Sequence, residues 1–83
     1  MHECYFTFHS ITGAQRGETA LLRQGLRSRL LRAPKFLAVR GCGYALAVPC
    51  SQLSAAAEAL AIWQVSYEGA FHKTPHGVEE VRF

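Results

Sequence analysis

Cys42 stands between Gly41 and Gly43, inside the run Pro34-Lys-Phe-Leu-Ala-Val-Arg-Gly-Cys-Gly-Tyr-Ala-Leu-Ala-Val48. Glycine has no side chain, so a thiol flanked by two of them can be approached along the backbone. Nucleophilic chemistry needs the thiolate, which cations and helix amino termini favour by lowering the cysteine pKa. Arg40 and Lys35 are the nearby cations, and His9 is the candidate proton partner. Ser10, Lys35, Arg40, Gly41 and Gly43 are expected to shape the binding pocket around Cys42. The competing reading, which residue type alone favours, makes Cys42 a small buried strand residue.

Other chemistry-bearing residues are less organised. His72 and His76 are four apart, but Pro75 between them removes the helical geometry that two metal ligands would use. Glu79 and Glu80 are adjacent, so an extended chain points them to opposite faces. No phosphate loop or dinucleotide fingerprint occurs, and neither a metal nor a cofactor is expected.

The elements that must hold Cys42 follow from hydrophobic periodicity. Cys4-Tyr-Phe-Thr-Phe8 alternates as a strand, with Cys4, Phe6 and Phe8 on one face. Ser10 or Thr12 can cap a helix to about Gln24, which Gly25 ends. Residues 26–33, with arginines at 27, 29 and 32, suit an edge strand, and Gly43 to Val48 suits another. Leu53, Ala56, Ala57, Leu60 and Trp63 recur at helical spacing, and Val65 to Phe71 alternates as a last strand. His72 to Gly77 then breaks the pattern, leaving a tail that could add a short strand.

The predicted order, strand–helix–strand–strand–helix–strand, is the split βαβ pattern of ferredoxin-like α+β sandwiches. Residues 1–83 form one domain with its core in 3–71, in which two helices cover one face of a four-stranded antiparallel sheet. That topology brings Cys42 to the same sheet rim as His9, Ser10 and the first helix's amino end. The opposite sheet face would show Tyr5, Thr7, Gly43, Ala45 and Ala47, a flat apolar surface that suggests a homodimer.

Composition narrows the class. At 49% hydrophobic residues the chain can pack a core, so disorder is excluded over most of it. Three cysteines without paired or metal-ligand spacing argue against a disulfide framework, and no membrane segment or signal is apparent; a cytoplasmic protein with reduced thiols is expected. Seven of the nine basic residues fall between Arg16 and Arg40, which reads either as a solvated face or as a surface for anions and nucleic acid.

Two resemblances bear on function. Arg40-Gly-Cys-Gly-Tyr-Ala-Leu-Ala47 resembles the RNA-recognition-motif octamer, with Tyr5 in the companion stacking position; Cys42 and Ala47 replace two of its aromatics. More of the chain resembles a family of small bacterial selenium/sulfur (Se/S) carrier protein-like domains. Tyr5-Phe-Thr-Phe-His-Ser10, Ala14, Glu18, Gly25, Pro34-Lys35 and Cys42-Gly43 followed by Ala45-Leu46 carry that likeness. The resemblance implies that Cys42 accepts sulfur or selenium as a persulfide-type adduct, with donor and acceptor proteins as partners. A carrier or thiol-accessory role is then expected rather than a self-contained catalyst. The alternative is a non-catalytic module that dimerises or binds nucleic acid through residues 16–40 and the open sheet face.

Overall fold

Alternation in Cys4-Tyr-Phe-Thr-Phe8 sends Cys4, Phe6 and Phe8 into one buried cluster and Tyr5 into another on the opposite side. The computed structural model describes residues 3–37 and 43–82. Within them, five strands and two helices run in the order β1 (Glu3–Phe8), α1 (Ile11–Arg23), β2 (Arg29–Arg32), β3 (Tyr44–Pro49), α2 (Leu53–Ile62), β4 (Gly69–Thr74) and β5 (Gly77–Val81). A 3₁₀ turn at Cys50–Gln52 joins β3 to α2.

The fold is α+β, with one antiparallel sheet ordered β2-β3-β1-β4-β5. The expected four-stranded sheet is therefore corrected to five. The tail folds back as β5 because Thr74-Pro-His-Gly77 makes a two-residue hairpin turn. Gly77 takes φ +138°, open to glycine, and the Thr74 hydroxyl donates to its carbonyl at 3.2 Å. The expected last strand is also displaced. Val65 and Tyr67 do face inward, but as a connection packed against the helical-side core; Tyr67 meets Phe6 edge-on at 4.8 Å. Pairing begins only at Gly69, opposite Thr7, and continues through His72.

Both helices supply the main core on the inner face. Ala14, Ala20 and Leu21 of α1 and Leu53, Ala56, Ala59 and Leu60 of α2 meet Phe6, Phe8, Leu46 and Val48 of the sheet. Ser10 starts α1: it lies in the extended region, and its hydroxyl accepts the Gly13 N–H at 3.1 Å. Gly25, at φ +76°, leads the chain out beyond the end of α1.

The outer face is covered as well. Pro34–Leu37 turns back over it, closed by Leu37 N–H donating to the Pro34 carbonyl at 2.8 Å. Leu37 is buried against Tyr5, Ala45 and Ala47, and Phe36 meets the Tyr5 ring edge-on at 6.0 Å. Tyr5, Thr7, Ala45 and Ala47 are at most 4% exposed, so the flat dimerisation surface expected from alternation is interior. Tyr5 likewise has no free ring face to stack on a base, which removes the RNA-recognition likeness at its second position.

Candidate functional site

Antiparallel pairing of β1 with β3 places Phe8 opposite Tyr44, so the end of one strand meets the start of the other at a single rim. Gly43 is fixed there. Its N–H donates to the Phe8 carbonyl at 3.2 Å, and its own carbonyl accepts from Ala33 at 3.0 Å. A Cβ on Gly43 would approach the His9 carbonyl at 3.8 Å, so this glycine borders the residues that open α1. Ser10 follows as the helix cap. The rim thus joins Gly43, His9 and Ser10, as the topology implied. Arg40, Gly41 and Cys42 lie outside the described residues.

His9 has a partner of its own: its Nε2 is 2.9 Å from Glu68 Oε1, with both side chains about half exposed. Glu68 arrives because its N–H donates to the Thr7 carbonyl at 2.7 Å just before β4 begins. Sequence reading assigned no role to this carboxylate, because the displaced β4 placed it inside a strand. Lys35 is exposed in the turn that covers the outer sheet face.

Among the described residues, the cations of the basic stretch lie on different parts of the fold. Arg29 reaches across Ala47 to Glu3 at 2.8 Å on the outer face, and Tyr5 donates to the other Glu3 oxygen at 2.8 Å. Arg32 stacks over the Tyr44 ring at 5.7 Å, while Arg16 and Arg23 line a groove beside α1. Nucleic acid read by a continuous basic track would find these charges on separate parts of the fold.

The Arg29 hydrogen bond, then that of Tyr5, holds the Glu3 carboxyl below its usual range. A depressed carboxyl stabilises the fold above its unfolded value, about 4.3, and loses that contribution as pH falls through the folded value. Thermal unfolding from pH 6 to 3 should therefore show a steeper acid decline for the wild type than for Glu3→Gln. The pair is half exposed, so the difference should be small and shrink in salt. Parallel curves at low ionic strength would show that the triad contributes nothing.

The cysteine expectation needs correction. Cys4 and Cys50 form a disulfide, with Cα atoms 5.0 Å apart, rather than remaining reduced. Pairing of Cys4 with Val48 brings the start of β1 to the end of β3, and the 3₁₀ turn begins at Cys50.

No helix among the described residues is long and apolar enough to cross a membrane. No curated protein and no solved structure matches the chain. A family model does match, over residues 3–72, a span that holds the rim residues, the disulfide and position 42. The chain belongs to the family described as "Putative Se/S carrier protein-like".

Proposed function

We propose that the protein carries sulfur or selenium on Cys42, passing it between a donor and an acceptor protein. One observation carries this reading. Two of the three cysteines are joined to each other, which leaves position 42 as the chain's remaining thiol, within the span that matches a carrier-like family. The rim supports it in a second way. Gly43 borders the amino end of α1, whose partial positive charge favours a thiolate or an anionic adduct close by.

The transfer needs no cofactor. The Cys42 thiolate attacks the outer sulfur of a donor persulfide, R–S–SH; the donor S–S bond breaks and its electron pair leaves on R–S⁻. Cys42–S–SH results, with no net oxidation of the pair. The acceptor's nucleophile repeats the exchange in the opposite sense. Ser10, Arg40, Gly41, Gly43 and Lys35 are the residues proposed to shape the pocket. His9 would relay a proton only by leaving Glu68.

Intact-mass measurement after incubation with a cysteine desulfurase and cysteine tests the proposal. A gain of about 32 Da per sulfur is expected on the wild type and on Cys4→Ala/Cys50→Ser, and should be absent from Cys42→Ser. An adduct that survives in Cys42→Ser, or never forms on the wild type, overturns it.

A further inference from the structure

Metal-ligating side chains gather on the inner sheet face around the Cys4–Cys50 bond, at the end of β3 away from Gly43. Cys4 on β1 is paired directly with His72 on β4, and His72 is paired directly with Glu79 on β5. Two residues along each strand stand Phe6, Ala70 and Val81, all packed in the helical-side core. Alternation therefore puts Cys4, His72 and Glu79 on that same face. Residues paired directly on one face hold their Cβ atoms about 4.5–5.5 Å apart. Cys50 reaches Cys4 from the other side, out of the turn that follows β3. His72 is partly buried with its Nε2 shielded from solvent, while Glu79 is exposed at the sheet margin. Positions 4, 50, 72 and 79 are far apart in the chain, and strand register alone brings them together.

We infer that reduction of the disulfide turns this cluster into a zinc site, with Cys4, Cys50 and His72 as ligands and Glu79 in the fourth position. In the oxidised form the S–S bond occupies both sulfurs, and no three such side chains among the described residues are grouped to hold a metal. A dithiol reductant supplies two electrons and two protons and leaves as its own disulfide, so that Cys4 and Cys50 become thiols. Metal binding then expels both thiol protons, and two thiolates face the cation. Rotation about the Cα–Cβ bonds lets the freed sulfurs separate and share an ion at about 2.3 Å each. Two sulfurs, an imidazole nitrogen and a carboxylate oxygen suit tetrahedral zinc; magnesium and calcium prefer oxygen throughout. The ion would replace the lost covalent link, because it ties β1, the turn after β3 and β4 at one point. The inference goes beyond the carrier reading and does not need it, since no ligand comes from position 42.

Cobalt(II) is the probe, because tetrahedral thiolate ligation gives it visible bands and a thiolate-to-metal charge-transfer absorption that zinc lacks. Protein reduced with a dithiol and desalted without oxygen should take up one cobalt per chain, and added zinc should then bleach the colour. Protein left oxidised should stay colourless. Reduced Cys42→Ser should bind cobalt as the wild type does, whereas His72→Ala should bind it at least roughly tenfold more weakly. Far-ultraviolet circular dichroism checks that each variant remains folded. A second readout needs no change at His72: zinc should raise the urea midpoint of the reduced wild type and leave that of Cys4→Ala/Cys50→Ser unmoved. No colour in the reduced wild type, equal binding by His72→Ala, equal colour in the oxidised protein, loss of colour in Cys42→Ser, or a midpoint indifferent to zinc would each overturn the inference.

Discussion

Reduction of the Cys4–Cys50 bond should lower the unfolding free energy by about 4 kcal/mol, the largest loss expected from any single change described here. The two residues are 46 apart in sequence, and closing a loop of that length removes much of the unfolded chain's freedom. Little offsets the loss. Cys4 is 2% exposed and remains a small apolar thiol when reduced, so its packing in the helical-side core persists. A domain of 83 residues has only about 5–15 kcal/mol in total, so a substantial share is at stake. Urea unfolding with and without reductant should show a clear drop in midpoint for the wild type. The Cys4→Ala/Cys50→Ser variant should already sit near the reduced midpoint and ignore reductant. Thiol counting in denaturant without reductant should find one reactive group. Finding three, or a midpoint indifferent to reductant, would show that the staple is absent.

That pairing was within reach of the sequence, although cysteine spacing concealed it. Spacing is a one-dimensional measure, whereas disulfides follow proximity in the fold. Strand patterning placed Cys4 at the inward start of β1 and Cys50 just after β3. The expected antiparallel neighbours then bring those ends together. The helices, the Ser10 cap, the Gly25 exit and the first three strands were legible because each rests on local periodicity or capping chemistry. β4 was misplaced because Val65 and Tyr67 alternate as a strand does, yet spend that alternation on packing against the core. Gly43, at the start of β3, meets His9 at the rim, while Cys42, the residue expected beside His9 and Ser10, lies outside the described residues. The outer sheet face could not be read as covered. Ala45 and Ala47 are small enough to suggest an open surface, and nothing local shows that Leu37 folds back over them. Charge close in sequence between residues 16 and 40 is divided among different elements where described, with Arg23 on α1 and Arg29 and Arg32 on β2.

Substituting two glycines of the same helix should move stability in opposite directions. A Cβ on Gly17 would stand 2.9 Å from Leu46 Cδ1 and 3.0 Å from Phe8 Cζ, in a core where Leu46 is wholly buried and Phe8 nearly so. Gly17→Ala gains about 1 kcal/mol in helix propensity, but overpacking typically costs about 1–3 kcal/mol. A net loss of about 1 kcal/mol is expected, and roughly 3 kcal/mol for Gly17→Val, whose branched side chain has nowhere to turn. Gly13 differs in its surroundings: its Cβ would meet Ser10 Oγ at 3.4 Å and Phe8 at 3.6 Å, so Gly13→Ala should gain about 0.5–1 kcal/mol. Urea midpoints decide both, and a Gly17→Ala protein more stable than the wild type would show that Phe8 and Leu46 can yield. Phe8 links this packing to the rim, because its carbonyl receives the Gly43 N–H. Pushing α1 away from Phe8 should therefore disturb sulfur loading in Gly17→Val, while Gly13→Ala loads as the wild type does.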